Sequence, residues 1–243
     1  MRFRSCLLLM FLLVVPVIAV NAAMDTADEI VKEIDKHRLL FDNFEMMVRI
    51  DSYKNKNFEN TTIIKGRIYN EKNAILTFLE PVKMRERKIE IKDNDVWLIM
   101  PNVKNPVRLS PSQRLVGGIS YSDIIATSYY ELYTAKLVGE ESIAGINADG
   151  TDAAKTFNCY KLELNLKSKG NTYSKIVIWA DKQTLSPIKA DFYSLSGKKM
   201  TTAHYLESKK LYGKFVITKL ILFNHLSSEQ YCVIEYSDIK LFQ

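Results

Sequence analysis

One pattern constrains this chain more than any other. An alternation of apolar and polar side chains with a period of two returns about eleven times along it. In Asn43–Tyr53, Phe44, Met46, Val48 and Ile50 hold one parity, and Glu45, Arg49 and Asp51 hold the other. Successive side chains of a strand point to opposite faces, so this is the signature of a half-buried strand. Thr61–Tyr69, Lys72–Leu79, Met84–Lys92 and Val96–Met100 read the same way, as do further segments out to Ile239. Lys54–Asn57, Glu80-Pro81, Asp93-Asn94, Ser168–Asn171 and Ser196-Gly197 supply the turns between them. Strands at roughly 12–15-residue spacing with short turns make an antiparallel meander rather than βαβ units. A sheet of so many strands cannot remain flat and must curl, split or close. The expected fold is therefore mainly β. It is a strongly curved antiparallel sheet forming an incompletely closed barrel of about 11 strands, with a helical lid.

Two segments break the strand pattern. Asp25–Phe41 reads as an amphipathic helix, with Ile30, Ile34 and Leu39–Leu40 near one stripe. Lys32, Glu33, Lys36 and Arg38 fall mostly on the other side. Ser110–Ile125, with Pro111, Gly117 and Gly118, reads as an irregular or short helical excursion. Ahead of both, Arg2 and Arg4 precede an apolar run, Leu7–Val20, and Val20-Asn21-Ala22 offers small residues for cleavage. That is the layout of a secretory signal. The run falls short of the roughly 20 residues of a membrane-spanning helix. Residues 1–22 are thus expected to be a signal peptide and 23–243 a single domain, with an uncleaved anchor as the alternative. The formal charge is +6, and it drops to +4 without Arg2 and Arg4. No nucleic-acid-binding signature accompanies it. Cys159 and Cys232 remain beyond the leader. Export would permit a disulfide, whereas the parity of Cys159 with Lys161 and Glu163 puts it on a wet face, so both states stay open.

Reactive chemistry is hard to assemble from these residues. His37, His204 and His225 stand alone, without metal-ligand spacing. Gly118–Ser122 lacks the second glycine of a nucleophile elbow, since Ser122 stands in its place. No catalytic residue, metal or cofactor is expected. An exported, strand-rich shell with much apolar side-chain area and no reactive set points to the holding of a greasy ligand. Phe44, Met46, Val48, Ile50, Ile64, Ile68, Leu76, Phe78, Leu98 and Met100 are the candidate cavity lining. Methionine suits a pocket for variable chains because it is flexible and polarizable. The same residues could equally be ordinary core. Arg85 and Arg87 share a parity with Ile89 and Ile91 and are candidates for a cavity mouth that meets an acidic headgroup; a solvated strand end is the plainer reading. Tyr121, Tyr129, Tyr130 and Tyr133 form an aromatic cluster that reads as a packed sheet edge or a contact rim.

Several segments in order carry a resemblance. They are Asp95–Pro101 with its tryptophan and proline, Arg108–Arg114, Ser120–Ile124, Cys159–Leu164, Tyr173–Lys182, Pro187 and Gly197-Lys198. Together they resemble the LolA/LolB-like outer-membrane lipoprotein-sorting family. The stretch between Arg114 and Ser120 is shorter than the family's usual one. The resemblance implies a periplasmic, incompletely closed β-barrel with a helical lid over an apolar cavity. It implies a non-catalytic carrier of lipoprotein acyl chains or lipid, exported by a cleaved signal peptide and delivering to the outer membrane. Its partners would be an inner-membrane transporter or an outer-membrane acceptor, and it would be a monomer so that the mouth stays free. A non-catalytic accessory subunit of an envelope export complex is the alternative.

Overall fold

The computed structural model describes residues 18–38, 41–70, 72–93, 95–110, 113, 118–119, 121–124, 127–168, 171–227 and 229–242. A long helix, α1 (Ile18–Arg38), opens the described chain. Six strands follow: β1 (Phe44–Lys54), β2 (Asn57–Asn70), β3 (Asn73–Glu80), β4 (Lys88–Lys92), β5 (Asp95–Ile99) and β6 (Val107–Leu109). Two single-turn helices, α2 (Tyr121–Ile124) and α3 (Tyr129–Leu132), lead into the second series. It comprises β7 (Tyr133–Ile146), β8 (Asp152–Leu166), β9 (Lys175–Asp181), β10 (Pro187–Tyr193), β11 (Lys199–Leu211), β12 (Lys214–Asn224) and β13 (Gln230–Leu241).

All thirteen strands form one antiparallel sheet in the order β6-β5-β4-β3-β2-β1-β13-β12-β11-β10-β9-β8-β7. Two meanders are joined where β1 pairs with β13, Phe44 lying opposite Leu241 and Ile50 opposite Ile234. The edges β6 and β7 are not paired with each other, so the sheet is open, and the expected strongly curved barrel gives way to one continuous sheet that is neither closed nor strongly curled. The count exceeds the expected eleven for local reasons. Val107–Leu109, beyond the Pro101–Pro106 break, pairs with β5 as an extra edge. In the other direction, Met84–Arg87 is not strand. A 3-10 turn at Val82–Met84 and a positive φ of 67° at Glu86 interrupt the extended run there. The Ala144–Lys155 stretch, polar enough to read as a loop, is mostly hairpin, with β7 and β8 paired down to Ile146 and Asp152.

The inner face of the sheet carries the core. In β1, Phe44, Met46, Val48 and Ile50 are buried, and in β2 and β3 so are Ile64, Ile68, Leu76 and Phe78. Across the join, Ile176, Ile178, Leu220, Leu222 and Ile234 continue it. Helix α1 packs on this interior against β7 and β12. Ala27, Ile30, Val31 and Ile34 are its buried stripe, at the i, i+3, i+4, i+7 spacing of one helix face. The helix begins at Ile18, seven residues ahead of the expected Asp25, because the apolar run before Asp25 is itself good helix former. Residues 1–17 of the expected leader lie outside the described residues. Among those described, no helix is long and apolar enough to cross a membrane.

Cys159 and Cys232 are both buried and are not joined in a disulfide. Four strands separate β8 from β13, so Cys159 and Cys232 do not meet. Cys159 is not on a wet face. It sits on the outer side of the sheet under a small apolar patch with Trp179 and Ile188, flanked by Ile143 and Phe157, and burial pushes its thiol up to about 11.

The outer face also carries a half-buried histidine. His204 alternates with Ala203 on β11, packs edge-on against Phe223, and its Nδ1 has no hydrogen-bond partner. Burial first, then Lys189, lowers its pKa to about 4 against the opposing pull of Asp191 and Asp152. Between about pH 6.5 and pH 4 the unfolded chain therefore binds more protons at this group than the folded one. Its stabilising share is complete above 6.5 and disappears as pH falls through 4. Chemical unfolding across this window is expected to show a decline on the order of 2–3 kcal/mol from this group. His204→Phe should flatten the profile there, and an unchanged slope in that variant would contradict the assignment.

Candidate functional site

The two halves of the sheet and the end of α1 line an open cavity of about 1720 Å³. That exceeds the roughly 300–1,000 Å³ typical of small-molecule pockets. Phe44, Met46 and Ile68 line it from one half of the sheet, with Ile91, Val96 and Leu109 nearer its edge. Ile176, Phe192, Ala203, Ile217, Leu220 and Leu222 face them from the other half. Turn residues close in around it: Asn70, Lys72 and Asn73 between β2 and β3, Asp93 after β4, and Ser168, Asn171 and Thr172 between β8 and β9.

One wall of the cavity is polar, and α1 builds it. Asp35 is 5% exposed and ends a stripe that runs Val31, Ile34, Asp35, Arg38. Its carboxylate accepts from Ser128 Oγ at 2.9 Å, from the Tyr129 amide at 3.0 Å and from the Tyr130 amide at 2.9 Å. Ser128 Oγ in turn accepts from the Glu131 amide at 3.1 Å, capping α3. One carboxylate of the long helix thus satisfies the open N–H groups at the start of α3, which would otherwise be buried without partners. Arg38 completes the knot. Its Nη1 donates to Asp35 Oδ1 at 3.1 Å and to the Thr127 carbonyl at 3.2 Å. Its guanidinium lies 3.3 Å from the centre of the Tyr129 ring, a cation–π geometry. Burial opposes the charge on Arg38, but Tyr129, Tyr205 and Asp35 outweigh it and hold the pKa above its ordinary value. Burial also pushes the Tyr129 hydroxyl well above its usual range, against Arg38, and that of Tyr133 up to about 12. These phenols are neutral hydrogen-bonding groups at any physiological pH.

Further hydroxyls fasten the same wall. Tyr133 OH donates to the Tyr173 carbonyl at 3.0 Å, Tyr173 OH to Asp123 Oδ1 at 2.8 Å and Tyr236 OH to the Ile124 carbonyl at 3.2 Å. Asp123 and Ile124 belong to the excursion, so Tyr173, ahead of β9, and Tyr236 of β13 hold its end against the cavity. Among the described residues no group of three His, Cys, Asp or Glu side chains is placed to hold a metal ion. The Asp35–Arg38 knot is fully engaged in protein contacts and presents no activated nucleophile.

Of the ten residues expected to line a cavity, Phe44, Met46 and Ile68 do so. Val48, Ile50, Ile64, Leu76 and Phe78 are fully buried core on the same inner face, away from the open space. Leu98 packs against that core, and Met100 is half-buried at the end of β5. Parity identified the correct face, but burial depth along each strand depends on where the helix and turns sit. Arg85 and Arg87 are not at the cavity. They lie in the β3–β4 connection, at the other end of β3 and β4 from the cavity-lining Asn73 and Ile91, and Arg85 Nε donates to the Leu79 carbonyl at 3.2 Å. Arg38, Lys72, Arg108 and Lys214 are the cations that do line it. Tyr129 and Tyr133 are buried and line the cavity wall. The sequence carried one usable signal for the knot: Asp35 and Arg38 continue the apolar stripe of α1 rather than its wet side.

Comparison with known proteins now bears on this geometry. A family model described only as that of an uncharacterized, "-like" protein matches residues 70–243. A LolA superfamily protein of Nitrosomonas europaea is 29% identical, the match covering 89% of this chain and 94% of that one, with a TM-score of 0.77. The chain is a structural match to the LolA superfamily. The LolA-like fold is shared by two more distant structures. A domain from Vibrio parahaemolyticus described as outer-membrane lipoprotein-sorting is 18% identical, over 90% of this chain and 93% of that one, with a TM-score of 0.72. A DUF1329 family protein from Desulfovibrio piger is 19% identical over the same shares, with a TM-score of 0.72. No curated protein matches the chain.

Proposed function

We propose that this LolA-like protein is a non-catalytic carrier in the bacterial cell envelope. It would sequester acyl chains of lipoproteins, or of lipid, in the cavity and carry them through the periplasm toward the outer membrane. The observation that carries this reading is the large cavity itself, walled by apolar side chains from both meanders and bounded by a helix that polar contacts hold in place. Excluding a hydrocarbon chain from water is favourable by about 0.8 kcal/mol per buried methylene. A permanently open trough of this size would hold cargo too tightly and expose a sticky interior when empty. A cover that must be displaced offsets part of that gain. Helix α1 forms the cover in this reading, lying over the inner face of the open sheet. The relatives named for lipoprotein sorting support the same class of cargo.

The direct test is mass spectrometry of an organic extract of the purified protein. Co-purified acyl lipid or acylated peptide is the expected result. An extract free of acyl species, together with stable capture of an envelope membrane protein, would replace carriage by the role of accessory subunit.

A further inference from the structure

Beside the cavity, several apolar side chains stand in solvent. Tyr212 is 57% exposed and Phe215 53% on the β11–β12 hairpin, Leu241 is 47% exposed at the end of β13, and Tyr69 is 37% exposed at the end of β2. Exposed apolar groups scattered singly need no explanation. These are joined through the cavity's own edge. Tyr212 meets Phe41 edge-on with ring centres 5.4 Å apart, and its hydroxyl donates to the Ile239 carbonyl at 3.3 Å. Tyr69 meets Phe242 at 5.7 Å, and Phe242 N donates to the Asn43 carbonyl at 2.8 Å. Phe41, Phe44 and Lys214 line the cavity, and Lys214 lies 4.2 Å from the centre of the Phe41 ring.

Cations are interleaved with this apolar rim. Arg67 sits 4.3 Å from the centre of the Phe242 ring. Lys209, Lys210 and Lys240 are exposed on the same strand ends. Of the neighbouring acids, Glu45 pairs with Lys65 and Arg67 and Glu207 with Lys219, while Asp42 and Asp238 are exposed among these cations. Aromatic rings with a wet and a dry end, alternating with flexible cations, match the chemistry of a membrane–water interface whose headgroups are anionic. We propose that this rim is a docking surface for a bilayer carrying anionic headgroups, so that the cavity edge is pressed against the membrane. The proposal goes beyond the carrier reading and does not require it, since docking would occur with the cavity empty.

Co-sedimentation of the full chain with vesicles tests it. Binding is expected to vesicles of phosphatidylcholine mixed with phosphatidylglycerol, not to phosphatidylcholine alone, and should weaken as salt rises. Each lysine near such a surface strengthens binding about fivefold. Lys209→Gln with Lys210→Gln should therefore weaken it by roughly 25-fold. Tyr212→Ser with Phe215→Ser should cost about tenfold or more through lost apolar burial. Phe58→Ser is the control. Phe58 is equally exposed, at 57%, but stands at the β1–β2 turn, the far end of that hairpin from Tyr69, and its loss should leave binding unchanged. All five side chains are exposed, and a retained circular dichroism spectrum shows each variant folded. Failure to bind anionic vesicles, equal binding to both vesicle types, or an equal loss from Phe58→Ser would overturn the proposal. A rim built for a protein partner would give the first of these results.

Discussion

Asp35→Ala is expected to lower the unfolding free energy by about 3–5 kcal/mol, the cost of breaking a buried, hydrogen-bonded charge pair from one side. The reason is the number of groups that converge on one carboxylate. Ser128 Oγ and the amides of Tyr129 and Tyr130 lose their acceptor, and Arg38 keeps its charge in a wall where its side chain is only 9% exposed. Each orphaned buried donor costs about 1–3 kcal/mol by itself. Asp35→Asn should recover part of the loss, because a carboxamide oxygen still accepts from the α3 N-terminus while the charge pair is gone. Urea denaturation gives the stability, and amide hydrogen exchange locates the change. Tyr129 and Tyr130 amides should exchange far faster in Asp35→Ala, while those of β1 and β13 follow only the global change. A loss below about 1 kcal/mol would mean that water or local rearrangement satisfies these donors, and the knot would then not be what holds α1 to α3.

The same knot shows where sequence reading stops. Strand parity placed Phe44, Met46, Val48, Ile50, Ile64, Ile68, Leu76 and Phe78 on one buried face, because a period of two is a local property that tertiary packing seldom reverses. Strand ends were harder. β6 is three residues long, and the β7–β8 hairpin continues through small and polar residues whose pairing comes from partners rather than propensity. The division between filled core and open cavity was not legible at all. It depends on how far α1 intrudes and on contacts 93 to 95 residues apart, such as those from Asp35 to Ser128 and Tyr130. Charged side chains misled for the same reason. Arg38 was assigned to water by its chemistry although its helical position lies with Ile34 and Val31, whereas Arg85 and Arg87 were credited to a strand that begins only at Lys88.

Affinity for acyl chains should rise about fourfold with each added methylene, the equivalent of about 0.8 kcal/mol per group. Between a 12-carbon and a 16-carbon chain that amounts to roughly 250-fold. The slope and the intercept of such a series carry different information. Displacing the cover and ordering the ligand cost the same for every chain that enters, so they shift all affinities together. Only the cavity wall sets the slope, and the slope should collapse at the length where the chain end meets the far wall or leaves the mouth. Ala203 offers the matching perturbation. It lines the cavity between Ala190 on β10 and Leu222 on β12, so Ala203→Phe places a ring in the ligand's path. With the fold intact by circular dichroism, that variant should bind a 16-carbon probe at least about tenfold more weakly, since a ring-sized obstruction excludes two or more methylenes. It should also move the break in the series to shorter chains. Displacement titration of a fluorescent fatty acid measures both. Affinity independent of chain length, or a series unaltered by Ala203→Phe, would place hydrocarbon binding outside this cavity.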